Sequence, residues 1–240
     1  MTQSQSQTQL TSPILILGMH RSGTSCLTGC LQEAGLFLGD VNTEAGSNKK
    51  GNRENKAIME HHEAILNRVG ATWDRPPVIT LPWTRQETKH LLSLLSAYQN
   101  VEIWGVKDPR TLFLLDGWKK VTTPKFVGTF RHPQEVAASL VSRAKKWGQV
   151  MDMEMGYDLW AAYNKKLLSI HDSQPFDIIR YDVASRIYNY KIIRIALKFG
   201  LLPPVTSGFR QEDLRNEEAA DLNVPPRLKD IWEDLNDRAI

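Results

Sequence analysis

The sequence predicts an α/β fold of three layers, a mostly parallel central sheet flanked by helices. Two observations carry this: four short apolar runs alternate with helical stretches, and a Gly-containing polar turn follows the first run. Strands interleaved with helices imply right-handed crossovers, which lay the strands parallel. A chain of 240 residues is long enough for one sizeable core and short for two. It divides into a tail over residues 1–12 and a single domain over residues 13–240.

The tail is rich in Gln, Ser and Thr, has neither a basic start nor an apolar stretch, and reads as disordered. Residues 13–17 (Pro-Ile-Leu-Ile-Leu) form a continuous apolar run, as in a strand buried on both faces. Residues 18–25 are a turn and 26–35 the helix after it. Residues 40–52 read as a polar, mobile loop. A helix is predicted over 53–69, with Ile58, Ile65, Leu66 and Val69 on one face. Pro76, Pro77 and Pro82 make the next stretch irregular, and a helix follows over 84–98. Strands are predicted over 101–106, 125–130 and 176–181. Helices fall over 111–121, 134–147, 157–171 and 185–199, and the last forty residues read as a loop and a short helix.

Composition excludes several function classes. A chain 41% hydrophobic and 24% charged is globular, and a net charge of +3 argues against a dedicated nucleic-acid binder. A local Arg/Lys cluster still suits a small polyanion. Cys26 and Cys30 stand four apart on one expected helix, giving neither a disulfide framework nor more than half a metal site. His61-His62-Glu63 lacks the spacing of a zinc enzyme. The chain therefore reads as cytoplasmic, metal-free and without an integral membrane segment.

In such folds ligands bind beyond the carboxyl ends of the strands. Four polar groups fall there: Gly18–Ser25, Lys107–Arg110, Arg131–His132 and Tyr181. In Gly18-Met19-His20-Arg21-Ser22-Gly23-Thr24-Ser25, the glycines permit a tight turn and the helix start offers unpaired N–H groups to a phosphate. The loop is P-loop-like, yet Thr24 stands where a Walker lysine belongs and the cation is Arg21. Downstream, Arg131 ends a strand, Pro133 opens a helix and Ser139 lies two turns into it. The arginine fork suits a second phosphate.

The loop resembles the 5′-phosphosulfate loop of sulfotransferases that use 3′-phosphoadenosine-5′-phosphosulfate (PAPS), and Arg131-x-Pro133 with Ser139 resembles that family's 3′-phosphate motif. The resemblance implies that His20, Arg21, Ser22, Gly23, Thr24, Ser25 and Cys26 line the 5′ end of the donor, and that Arg131 and Ser139 hold its 3′-phosphate. It implies that Tyr181 lies near the nucleotide, that Lys107 in Lys-Asp-Pro neutralises the leaving phosphate, and that Glu54 takes the acceptor's proton. His61 and His62 are rivals for that proton, and Arg210 and Arg215 are candidates for a basic loop over the donor.

The implied activity is transfer of a sulfuryl group from PAPS to a hydroxyl or amine of a small-molecule, carbohydrate or lipid acceptor, walled by residues such as Trp73, Trp83, Trp147, Tyr157 and Trp160. A nucleoside or nucleotide kinase with a degenerate loop, or a nucleotide-binding module without catalysis, are the alternatives.

Overall fold

The computed structural model describes residues 10–44, 50–202 and 222–240. Four parallel strands form one sheet: β1 (Ile14–Leu17), β2 (Gly105–Lys107), β3 (Lys125–Phe130) and β4 (Ile178–Arg180). They stand in the order β2-β1-β3-β4. Chain connections leave β1 toward one side and return to β3 on the other, so the crevice for a ligand opens beyond the carboxyl ends of β1 and β3. Register sets Ile16 beside Lys107 and Leu17 beside Gly128, so β3 runs two residues past β1 and ends with Phe130 beside Arg180.

Successive side chains of a strand point to opposite faces, and β1 is apolar on both. Ile14 and Ile16 pack toward α1 (Thr24–Glu33) and α7 (Ser185–Lys198). Leu15 and Leu17 join the larger core, with α2 (Lys56–Asn67), α3 (Arg85–Leu94), α4 (Thr111–Val121), α5 (Pro133–Lys146), α6 (Met153–Ser173) and α8 (Lys229–Arg238). The three layers match the fold class read from the sequence.

Several expectations need correction. Residues 10–12 are ordered: the Thr11 hydroxyl donates to the Val101 carbonyl (2.9 Å) and accepts from the Trp104 indole (2.9 Å). The second strand covers 105–107 and not 101–106, because Asn100 takes a left-handed turn (φ 63°) and the Val101 amide still bonds back to Tyr98. Val69 lies beyond the end of α2 and is 44% exposed. That helix starts at Lys56, where Asn55 caps it by accepting from the Ile58 amide, so Glu54 precedes the helix. The 40–52 loop is tied down at its flanks, since the Asn42 and Arg53 amides bond to the Glu54 and Asn42 carbonyls. Residues 1–9, Arg210 and Arg215 lie outside the described residues.

Candidate active site

The turn after β1 is shaped by three left-handed residues: Gly18 (φ 150°), Arg21 (φ 65°) and Gly23 (φ 85°). A side chain at Gly18 would run into the Thr129 carbonyl of β3, 2.5 Å away. One at Gly23 would meet the Tyr181 ring at 2.2 Å, so Tyr181, just past β4, lies directly against the loop. Gly23 is also the N-cap of α1, and no side chain caps that end. The helix start therefore faces the loop's concave side with its backbone donors and positive dipole end. Ser22 and Thr24 are buried and hold the turn, with the Thr129 hydroxyl donating to the Ser22 carbonyl (3.2 Å). Cys26 and Cys30 are buried residues of the first helix.

The two motifs read separately from the sequence meet. Arg21 Nε donates to Ser139 Oγ at 2.8 Å, across 118 residues of chain. Arg131, where β3 ends, places its guanidinium 5.5 Å from the Tyr181 ring and donates through Nε to Glu135 (2.9 Å). Burial, reinforced by the positive charges of Arg143 and Arg131, lowers the Arg21 pKa. Like charges gathered this way favour a bound polyanion.

Glu54 and Lys107 also come together. Lys107, 4% exposed, donates through Nζ to Glu54 Oε1 (2.6 Å), the Asn52 carbonyl (3.1 Å) and Ser25 Oγ (3.4 Å). The Ser25 hydroxyl in turn donates to the Asn52 carbonyl (3.1 Å), linking the phosphate loop to the segment that carries Glu54.

The rival bases are engaged elsewhere. The Trp118 indole donates to His62 Nε2 (2.9 Å), so Nδ1 carries the hydrogen and donates to Asp108 (2.8 Å). Asp108 accepts from Arg110 (2.9 Å), and Arg110 also donates to Glu63 (2.6 Å), a chain buried as far as Arg110 and reaching solvent at Glu63. Burial alone would raise the Asp108 pKa, but Arg110 and His62 outweigh it and hold that carboxyl below the usual range. His61 faces His90 (Nδ1 to Nδ1, 3.1 Å) and Trp83. His20 is half-buried, edge-on to Trp73 (5.0 Å) and Tyr163 (5.9 Å), with Nε2 buried and without a hydrogen-bond partner among the described residues. Burial, with Arg110, Lys107 and Arg143 nearby, holds the His20 pKa well below its ordinary value.

Of the expected acceptor walls, Trp83 (5% exposed) and Trp160 (0%) belong to the core. Trp73 and Tyr157 are half-buried and Trp147 is exposed. Two site residues, Asn52 and Arg143, escaped the sequence reading, and a third, Trp73, does more than was read for it. Asn52 contributes a main-chain carbonyl, which no side-chain pattern marks. Trp73 was read only as a wall, yet it carries both His20 and the guanidinium of Arg143, 4.3 Å from its ring. Arg143 itself had a signal: it lies four residues after Ser139 on the same helix, one turn along the same face.

No protein-family model matches the sequence, and no curated protein does. Among solved structures, the sulfotransferase domain of the Synechococcus PCC 7002 olefin synthase aligns with a TM-score of 0.50 and 16% identity, over 95% of this chain and 91% of that one. The sulfotransferase STF1 of Mycobacterium tuberculosis aligns with a TM-score of 0.49 and 17% identity, over 95% and 77%. The fold of this chain is that of a sulfotransferase domain.

Proposed function

We propose that this protein is a sulfotransferase that uses PAPS as donor and transfers its sulfuryl group to a hydroxyl or amine of the acceptor. The bond between Arg21 and Ser139 is the observation that carries the reading, because it draws the 5′ and 3′ anion motifs into one surface. Fit to the donor rests on the loop itself. Its helix start has no side-chain cap, and Gly23 leaves room for nothing larger beneath Tyr181.

In this reading, Arg21 and the loop amides from Ser22 to Cys26 hold the 5′-phosphate and sulfate. Ser139 accepts from Arg21 and keeps its own hydroxyl hydrogen to donate to the 3′-phosphate. The Arg131 bond to Glu135 uses Nε, leaving its terminal N–H groups for the same phosphate. The donor supplies the sulfuryl group. Lys107 neutralises charge on the phosphate oxygen that is released, and Glu54, oriented by Lys107, receives the acceptor's proton. Of Glu54, His61 and His62, Glu54 alone bonds to Lys107.

The test is calorimetric titration with 3′-phosphoadenosine 5′-phosphate and with 5′-AMP. Arg131→Ala is expected to weaken the bisphosphate by about 10–100-fold, the worth of a charged hydrogen bond, and 5′-AMP by little. Equal losses for the two nucleotides would remove the 3′-phosphate assignment. No binding of either by the unaltered chain would remove the donor.

A further inference from the structure

Arg143 is placed as the donor clamps are, yet it stands past them. It lies on α5 one helical turn beyond Ser139, and a residue four positions on occupies the same face about 6 Å further along. Ser139 faces the phosphate loop, as its bond to Arg21 fixes. Arg143 thus extends the surface away from the 3′-phosphate motif, toward Trp73.

Trp73 fixes where that is. Its ring takes the Arg143 guanidinium at 4.3 Å and the His20 ring at 5.0 Å, so Arg143 and the phosphate loop flank one indole. Tyr163 pins the segment by donating to the Trp73 carbonyl (2.7 Å). The guanidinium feels the charges of Glu54 and Asp74 but makes an ion pair with neither, or with any other described residue. It is half-buried, and a stacked guanidinium presents its edge donors sideways, in a planar fork that matches a carboxylate or a phosphate. A cation on the Glu54 side of the loop, preorganised and without an ion-pair partner among the described residues, adds to the positive field around Arg21 but is left over once Arg21, Ser139 and Arg131 are assigned to the donor's two phosphate sites.

From this geometry we propose that Arg143 binds an anionic group of the acceptor, a carboxylate or a phosphate, and so selects acidic acceptors. The proposal rests on the sulfotransferase reading and names the substrate class for the same site. The acidic group docks on Arg143 over Trp73 while the acceptor's hydroxyl or amine reaches Glu54.

The experiment uses the full chain, labelled PAPS and a small-molecule extract split on an anion exchanger before sulfation. Label is expected in the retained, acidic pool. Arg143→Met, which keeps the aliphatic stem on Trp73, is expected to raise the KM for that pool by about 10–100-fold. The same variant is expected to shift the Kd for 3′-phosphoadenosine 5′-phosphate by less than about threefold and to keep the wild-type Tm, as an acceptor contact requires. Arg143→Lys is expected to recover part of the loss, since it restores charge without the fork.

Treating the acidic pool with phosphatase beforehand separates the two sources: loss of labelling assigns a phosphate, persistence a carboxylate. Label confined to the unretained pool would overturn the proposal, as would labelling of the acidic pool that Arg143→Met leaves unchanged. Loss of nucleotide affinity in Arg143→Met comparable to that in Arg131→Ala would assign Arg143 to the donor instead. A wild-type chain that binds no bisphosphate and labels neither pool would overturn the sulfotransferase reading, and this proposal with it.

Discussion

Lys107 satisfies three acceptors at once, and an ammonium has three hydrogens to give. The Ser25 bond, at 3.4 Å, is the longest of the three and the most easily exchanged for a donor oxygen. Glu54 at 2.6 Å is the tight partner, so the carboxylate is held in place by the cation proposed to serve the leaving group. Glu54→Gln keeps an oxygen for Lys107 and removes the proposed proton acceptor. Turnover is expected to fall by about 10²–10⁴-fold, as for loss of a general base, with nucleotide affinity kept. His62 should behave oppositely, because both of its ring nitrogens are spent in the buried chain between Trp118 and Asp108. His62→Ala strands buried partners at about 1–3 kcal/mol each, and a chain of this size loses about 2–4 °C of Tm per kcal/mol. Thermal melts and single-turnover rates on both variants separate the roles. Turnover in Glu54→Gln equal to wild type would return the base assignment to the histidines.

The loop between β1 and α1 is the element on which the site is hung, and Gly23 is its tightest point. A methyl group there would sit 2.2 Å from the Tyr181 ring, on a backbone already at φ 85°. Gly23→Ala is therefore expected to cost about 1–3 kcal/mol and to weaken nucleotide binding. Adding Tyr181→Ala should recover part of that cost, leaving a coupling of about 0.5–3 kcal/mol in a double-mutant cycle followed by denaturant unfolding. Strict additivity would show that the ring does not press on the glycine. This loop was legible in the sequence because its signal is local, two glycines and a cation after an apolar strand. The first strand, apolar on both faces, and the third, with Phe126, Val127 and Phe130, were legible for the same reason. The second strand was misread over 101–104, where Val101, Ile103 and Trp104 are apolar while Asn100 still turns the chain. Glu54 was found, but not its neighbours: the carbonyl of Asn52 and the stacking of Arg143 on Trp73 depend on which loop folds back over the sheet. Such contacts arise from long-range packing, and no short pattern encodes them.

At the scale of the whole molecule, the histidines set the response to acid. Burial, with His62 and His90 adding repulsion, lowers the His61 pKa to about 4. Burial is also the leading cause of the lowered pKa values of His20 and His132. Each of these folded-state values lies below the unfolded one of about 6.5, so the fold binds fewer protons than the unfolded chain as acid is added. Their contribution to stability is complete above about pH 6.5 and is lost as pH falls from there toward about 4. Asp108 and Glu87 act in a lower window. Burial opposes the shift in both, but Arg110 and His62 depress Asp108, while bonds from Thr84 and Arg68 depress Glu87. Their contribution is complete above the ordinary carboxylate value, about 4, and is lost below it. Two successive losses are therefore expected in the urea midpoint measured from pH 8 to pH 3: a decline beginning near 6.5, then a further one under 4. His61→Gln should flatten part of the first decline, because its side chain carries no proton into the buried face against Trp83. A midpoint constant from pH 7 to pH 5 would show that the histidines take up protons without leaving the fold, and would place the cause of acid sensitivity wholly in the carboxylates.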